Sequence, residues 1–353
     1  GPAPPAAASA GGMTQTAGVA SAPASALGAS PATATASDAP PANAEPAELA
    51  SAPEGEDAAG AHLDMSGSGA SDLLWETAEG DRLRVTNADL EVVALFDRPG
   101  SDWELVAMAD LDGDGLTDLL WAQASGALAL SRMAPSMASQ PALDFGDAGS
   151  LGDTETIRGS GDFDGDGGAE VLVQDAETGV LAIWSLASGA APGVVDLGFA
   201  PGAGQTVAGG RDYDGDGDDD ILFHGEDGRL TAWLLGADGI QAITAIGAAP
   251  GGDVLASGDF DGDGFADVAR RDASGGVELL LLGGGLDAPA VLPGLATALE
   301  PAGAGDFDGD GRSDLLWVDP AGAIVVWFMD PGLAIEALTV SSEAGWNLIP
   351  DWR

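Results

Sequence analysis

The chain has 353 residues and a one-sided charge: 58 acidic residues stand against 11 arginines, lysine is absent, and the formal net charge is −47. So acidic a surface repels nucleic acid and anionic membranes, and neither is expected as a partner. No apolar run reaches the roughly 18 residues of a transmembrane helix, so membrane insertion is not expected. The absence of cysteine excludes disulfides, thiolate zinc sites and cysteine catalysis, and two histidines argue against an imidazole-rich centre.

Residues 1–60 differ from the rest of the chain. They consist mostly of Ala, Pro, Ser, Thr and Gly and contain no aromatic residue and no arginine. Such a composition buries too little apolar surface to offset the entropy lost on ordering. We therefore predict a disordered linker over residues 1–60, followed by one domain over residues 61–353.

From residue 61 onward an acidic loop recurs at regular intervals. The first complete copy reads Asp110-Leu-Asp-Gly-Asp-Gly-Leu-Thr-Asp118. The other complete copies begin at Asp162, Asp212, Asp259 and Asp306, and a degenerate copy begins at Asp64. These starting points lie 46, 52, 50, 47 and 47 residues apart, so six repeats of about 48 residues fill the chain after the linker.

Every repeat predicts the same short strands in the same order. An apolar run such as Leu119–Trp121 follows the acidic loop, and a second run such as Val180–Trp184 follows a glycine-containing turn. A third, weaker strand comes next, and a fourth, such as Trp103–Met108, leads into the next loop. Four short antiparallel strands per repeat are typical of a β-propeller blade, so we predict an all-β, six-bladed propeller.

The end of the chain predicts how the ring closes. Trp346–Arg353 aligns with Trp103–Asp110, the strand that enters an acidic loop, but no loop follows it. The residues before Asp64 are poor in strand formers. We therefore expect the C-terminal strand to complete the first blade, whose other strands come from residues 72–100, which removes exposed sheet edges.

The loop has the composition of a site for a hard cation. Acids at positions 1, 3, 5 and 9 supply carboxylates, glycine at position 6 permits a sharp turn, and the position 7 carbonyl adds a ligand. An all-oxygen ligand set favours Ca²⁺ over Mg²⁺, which demands a tighter octahedron. Position 12 lies in a strand instead of supplying the glutamate of an EF-hand. We expect about five Ca²⁺ sites.

The predicted carboxylate ligands are Asp110, Asp112, Asp114, Asp118, Asp162, Asp164, Asp166, Glu170, Asp212, Asp214, Asp216, Asp220, Asp259, Asp261, Asp263, Asp267, Asp306, Asp308, Asp310 and Asp314. The predicted carbonyl ligands are those of Leu116, Gly168, Asp218, Phe265 and Arg312. In the degenerate loop Ser66 and Ser68 replace two of the acids, so we expect that loop to be empty or to bind weakly.

The motif Asp-x-Asp-Gly-Asp-Gly-x-x-Asp followed by Leu-Leu-Trp, at this interval, resembles the FG-GAP/VCBS-type repeats of calcium-binding β-propellers. Integrin α-subunit heads and many secreted bacterial proteins contain such repeats, and the resemblance covers residues 61–353. It implies a calcium loop between the first and second strands of a blade. Because the better-known relatives have seven blades, seven is the alternative to six.

The resemblance also implies a function. It favours an extracellular or cell-surface binding or adhesion module with a protein or glycan partner. A glycan-binding lectin and a polysaccharide-active enzyme are the alternatives. The near-uniformity of the repeats argues against an enzyme, and no catalytic residue or organic cofactor is predicted.

Two further features have competing interpretations. Tryptophans recur at two repeat positions and predict either a sugar-stacking platform or packing between blades; they are Trp75, Trp121 and Trp317, and Trp184, Trp233 and Trp327. Arg270 and Arg271 interrupt the apolar pattern of the fifth blade. They predict either a site for an acidic sugar or carboxylate, or salt bridges with nearby acids.

Overall fold

The structure is a computed structural model that describes residues 63–87, 91–133, 144–186, 192–236, 239–248, 253–272, 274–283, 290–291, 299–333, 335–340 and 345–349. All of them belong to one compact unit, Pro53–Arg353. The predicted linker over residues 1–60 lies outside the described residues and stays a prediction. No helix in the described part of the chain has the length and apolarity that a membrane crossing requires.

The described residues form strands joined by turns and loops. The first twelve are β1 (Leu73–Thr77), β2 (Arg82–Thr86), β3 (Val92–Asp97), β4 (Trp103–Ala109), β5 (Asp118–Gln123), β6 (Ala127–Arg132), β7 (Asp144–Ser150), β8 (Glu155–Gly161), β9 (Glu170–Asp175), β10 (Leu181–Ser185), β11 (Gly193–Asp196) and β12 (Gln205–Arg211). The remaining ones are β13 (Asp220–Gly225), β14 (Arg229–Leu234), β15 (Ala242–Ala248), β16 (Val254–Gly258), β17 (Asp267–Arg271), β18 (Val277–Leu280), β19 (Ala290–Val291), β20 (Glu300–Gly305), β21 (Asp314–Val318), β22 (Ile324–Met329), β23 (Ile335–Val340) and β24 (Trp346–Leu348).

These strands form six four-stranded antiparallel sheets, which are the blades of a β-propeller. Blade 1 has the strand order β24-β1-β2-β3, and blades 2 to 6 each use four consecutive strands, beginning at β4, β8, β12, β16 and β20. Each complete acidic loop joins the first strand of its blade to the second, as predicted. The predicted six-bladed propeller is confirmed, with six blades and not seven.

The second strand of each blade is buried on both faces because every blade packs between two others. In β5 the side chains from Asp118 to Trp121 are all buried, which explains the continuous apolar run after the acidic loop. The tryptophans at both repeat positions are buried in the core. They therefore serve packing, and the sugar-stacking interpretation of these tryptophans is wrong.

The C-terminal strand closes the ring as the sequence predicts. β24 pairs antiparallel with β1, with Trp75 opposite Leu348. The guanidinium of Arg84, a residue only 5% exposed, stacks 4.5 Å from the ring centroid of Trp346 and 5.2 Å from that of Trp75. Through these cation–π contacts, Arg84 of β2 links Trp346 of β24 to Trp75 of β1. Residues 350–353, included in the predicted strand, lie outside the described residues.

Neighbouring blades are also joined through their acidic loops. In every loop the backbone N–H of position 8 donates a hydrogen bond to the position 1 carbonyl of the loop in the preceding blade. The donor–acceptor pairs are Ser71–Asp306, Thr117–Asp64, Ala169–Asp110, Asp219–Asp162, Ala266–Asp212 and Ser313–Asp259, with N···O distances of 2.6 to 3.0 Å. The bond from Ser71 to Asp306 links blade 1 to blade 6, so the six bonds form a closed circle.

The residue just before the acidic loop must leave room for the position 8 side chain of the next blade. A Cβ on Gly305 would lie 2.5 Å from the hydroxyl oxygen of Ser71 and 2.9 Å from its Cβ. Gly161 faces Asp219, and Gly258 faces Ser313, in the same way. Where position 8 is alanine instead, a larger residue precedes the acidic loop of the preceding blade, namely Ala109 or Arg211. At each of these five junctions, one of the two facing residues is therefore glycine or alanine.

We predict that Gly305→Ala destabilises the propeller by about 1–3 kcal/mol, because the added methyl group overpacks the junction between blades 6 and 1. Replacing Ser71 by glycine in the same chain should recover part of the loss. The control is Gly159→Ala in β8, where an added Cβ meets no atom within 4 Å. Thermal melting in excess Ca²⁺ measures the effect, and equal melting temperatures for the two glycine variants would contradict it.

We also predict that removing residues 345–353 lowers the melting temperature strongly and causes aggregation. Without β24, the edge of β1 is unpaired and Arg84 loses one of its two aromatic partners. The measurements are a melting curve and light scattering of the shortened chain beside the intact one. Unchanged melting and solubility would refute closure by the C-terminal strand.

Candidate functional site

The candidate site is the acidic loop, and its backbone curls around the position 1 carboxylate. Asp110 Oδ1 accepts hydrogen bonds from the N–H groups of Gly113 (2.8 Å) and Asp114 (3.1 Å), and its Oδ2 accepts one from Gly115 (2.7 Å). The loops that begin at Asp64, Asp259 and Asp306 have the same three bonds. The loops that begin at Asp162 and Asp212 have two of them, including the bond from position 6. Position 1 therefore organises the loop.

Two glycines allow the loop backbone to adopt this curled conformation. Gly115 at position 6 has φ 83°, as the sharp turn expected there requires. Gly113 at position 4 has φ 73°, also in the left-handed region that other residues adopt at a cost. The prediction from the sequence gave this role to position 6 alone, although glycine recurs at both positions of the Asp-Gly-Asp-Gly motif.

The curl gathers carboxylates from different positions of the loop. Three acids per complete loop have oxygen atoms that all lie within 4.8 Å of one another. Positions 1, 3 and 9 come together in blades 2, 4 and 6, as Asp110, Asp112 and Asp118; Asp212, Asp214 and Asp220; and Asp306, Asp308 and Asp314. Positions 1, 3 and 5 come together in blades 3 and 5, as Asp162, Asp164 and Asp166; and Asp259, Asp261 and Asp263.

Position 9 has a structural role that the sequence analysis missed. In blade 4, Asp220 Oδ2 accepts the N–H of Tyr213 (2.9 Å), and Oδ1 accepts the N–H of Leu235 (2.7 Å), which lies just beyond the third strand. Asp267 and Asp314 make the same pair of bonds. The recurring acid directly before the buried apolar run was the available signal. The position 9 carboxylate therefore connects the start of the acidic loop to the end of the third strand by hydrogen bonds.

The position 9 acids are buried, and burial is the largest cause that raises their pKa values, with repulsion from the other loop carboxylates adding to it. The pKa rises to about 7 for Asp118 and Asp314, and to about 8 for Glu170, Asp220 and Asp267. Asp118 Oδ2 is also buried without a hydrogen-bond partner among the described residues. A bound cation would offset both the burial and the repulsion, so the donor set fits a hard metal ion.

In two blades an arginine forms a salt bridge with an acid of the loop. In blade 2 the Nε of Arg132 lies 2.6 Å from Asp112 Oδ2. In blade 6 the side chain of Arg312 bonds Asp310 Oδ2 and donates to the carbonyl of Met329. These guanidiniums neutralise part of the charge that an ion would otherwise neutralise.

The degenerate loop of blade 1 keeps the fold of the others with fewer charges. Asp64 accepts the N–H groups of Gly67, Ser68 and Gly69, and Asp72 accepts those of Met65 and Ser66. Burial raises the pKa of Asp72 to about 6. Only two carboxylates are present, so weak or absent metal binding stays the prediction for this loop.

The arginine pair of blade 5 divides between two environments. Arg270 forms a salt bridge with Glu278 at 2.9 Å, as one of the two interpretations expected, although the partner is a glutamate of the same sheet. Arg271 instead donates to the carbonyl of Leu299 at 3.1 Å and lines a central cavity.

The two roles of the loop acids can be separated by substitution. We predict that Asp220→Ala and Asp214→Ala each weaken the cation site of blade 4, but that Asp220→Ala destabilises the fold more. The added loss, about 1–3 kcal/mol, arises because the buried N–H groups of Tyr213 and Leu235 lose their acceptor. Melting curves of the two variants in Ca²⁺ measure the difference; equal loss would contradict the structural role.

A comparison with protein families also detects the acidic repeat. A family model of the FG-GAP-like repeat matches residues 212–270, which contain the acidic loops of blades 4 and 5. A comparison with curated protein sequences gave no significant match.

Two solved structures are among those that match this chain. The BP39L lectin from Burkholderia pseudomallei is 16% identical with a TM-score of 0.49, and the match covers 80% of this chain and 83% of that one. AofleA from Arthrobotrys oligospora is 14% identical with a TM-score of 0.47, covering 82% and 87% of the two chains. The chain is a six-bladed β-propeller, and residues 212–270 of it match the FG-GAP-like repeat.

Proposed function

We propose that this protein is a calcium-stabilised β-propeller in which five acidic loops each bind one Ca²⁺ ion. The observation that carries the proposal is the set of five clusters of three carboxylates, each with oxygen atoms within 4.8 Å of one another. Hard oxygen donors in a flexible loop suit Ca²⁺, whereas Mg²⁺ prefers a tighter octahedron and retains its water.

The proposed ions act on the fold through charge. Five Ca²⁺ ions carry 5 × 2 = 10 positive charges, which would change the formal net charge from −47 to −37. Because the loops are bonded to one another around the ring, an ion that stabilises one loop also supports its two neighbours. At a hundredfold excess over the dissociation constant, each ion adds about 2.7 kcal/mol to the free energy of unfolding.

We further propose that the propeller works as a binding or adhesion module outside the cell or on its surface. Millimolar extracellular Ca²⁺ would keep sites of this type occupied. Apolar side chains on the outer strands support a protein partner: Val194 and Ile243 are each 56% exposed, and Phe199 is 59% exposed. They lie in blades 3 and 4, on or next to β11 and β15.

The proposal predicts that chelation lowers the melting temperature strongly. EGTA at low ionic strength should unfold or greatly destabilise the protein, because the clustered carboxylates are then left without a counter-charge. Added NaCl should restore part of the stability by screening the repulsion, and Mg²⁺ should restore less than Ca²⁺ does. A melting curve that is the same with and without EGTA would refute calcium stabilisation.

Metal content tests the assignment of individual loops. Mass spectrometry of the native protein should find about five Ca²⁺ ions per chain. Replacing Asp261 and Asp263 by alanine should remove one ion, and replacing Ser66 and Ser68 by alanine is the matched control that should remove none. A native protein without bound Ca²⁺ would refute the proposal.

A further inference from the structure

A cavity of about 510 Å³ lies among the innermost strands of blades 3 to 6. Its walls come mainly from β8, β12, β16 and β20, with further contributions from Phe163, Leu172 of β9 and Arg271 at the end of β17. Its size lies within the range of small-molecule sites in proteins. Three arginines line it, namely Arg158, Arg211 and Arg271, in a chain that has only 11.

The arginines elsewhere in the described residues have anionic or aromatic partners. Six form salt bridges with acids: Arg82, Arg98, Arg132, Arg229, Arg270 and Arg312. Arg84 stacks on two tryptophans. Within the cavity lining itself, Arg211 interacts electrostatically with the buried Asp219. Of the arginines that the structure describes, Arg158 and Arg271 remain, and both line the cavity. Arg158 and Arg271 therefore differ from the other described arginines, which have an acid or an aromatic ring as a partner.

Both of these guanidiniums bond a neutral oxygen, which leaves their positive charge uncompensated at close range. Arg158 Nε donates to Gln174 Oε1 at 2.9 Å, and Arg271 Nη2 donates to the carbonyl of Leu299 at 3.1 Å. A guanidinium has five N–H donors in a planar fork that matches a carboxylate. Each of these bonds uses one donor, so the other donors of Arg158 and Arg271 are available to an anion.

The other polar groups of the cavity limit which anion fits. Asp253 and Glu300 also line it, and no described arginine lies within salt-bridge distance of either carboxylate. They disfavour a multiply charged anion such as phosphate, and they can accept hydrogen bonds from ligand hydroxyl groups. The hydroxyl groups of Ser160 and Ser257 add further polar contacts.

We propose that the central cavity binds a singly charged, hydroxyl-bearing carboxylate of monosaccharide size, such as a hexuronate. Arg158 and Arg271 hold the carboxylate, while Asp253 and Glu300 accept hydrogen bonds from the hydroxyl groups. The inference deepens the proposed role as a binding module, and it does not depend on calcium in the loops.

The test is calorimetric titration of the full chain in millimolar Ca²⁺ with D-glucuronate, D-glucose and acetate. Glucuronate should bind saturably and more tightly than either of the others. Arg158→Gln and Arg271→Gln should each weaken glucuronate binding by about tenfold or more, because each removes charge-assisted hydrogen bonds. Gly159→Leu should abolish binding by filling the cavity without changing its charge, since a Cβ there meets open space.

The matched control is Arg229→Gln, which removes one arginine from an exposed salt bridge outside the cavity and should leave binding unchanged. A melting curve and the calcium content of each sample show whether the variant is folded and loaded. No saturable glucuronate binding, equal binding of glucose or acetate, or full binding by the folded cavity variants would overturn the inference. Because calcium content is measured separately, failure of this inference is distinguishable from failure of the calcium proposal.

Discussion

A single backbone hydrogen bond, repeated six times, connects the blades of this protein at their acidic loops. Position 8 of each loop donates to the position 1 carbonyl of the preceding loop, from Thr117 to Asp64 and onward until Ser71 meets Asp306. The carboxylate of that same position 1 residue holds its own loop in the curled conformation. The curled loops and the contacts between blades are therefore parts of one closed circle of hydrogen bonds.

The ring concentrates negative charge, and the fold must counter the repulsion. Buried position 9 acids such as Asp220 accept two backbone N–H groups each, yet burial and the neighbouring carboxylates still raise their pKa values. Arg132 and Arg312 supply a local positive charge in two loops. The remaining imbalance is the physical reason for the proposed calcium ions. Arginine is otherwise used sparingly, which makes the two uncompensated guanidiniums of the cavity informative.

Most of the architecture could be predicted because the repeat is local and regular. The spacing of Asp110 to Asp118 and its copies gave the loops, and the alignment of the C-terminal strand with β4 gave the closure. The details that depend on contacts between distant residues were not predictable. The bond from Asp220 to Leu235, the loop arginines and the choice of position 5 or 9 as the third clustered acid belong to this group.

The amino-acid sequence by itself determined the propeller, its six repeats and the acids of each loop, because these follow from spacings within about 48 residues. Only the tertiary structure decided how the arginine pair is used: Arg270 pairs with Glu278 of its own sheet, whereas Arg271 faces the cavity shared with Arg158. Arg158 belongs to blade 3 and Arg271 to blade 5, and the whole of blade 4 lies between them in the chain. They meet at one cavity because ring closure brings the innermost strands around a common centre, a relation that no local spacing encodes.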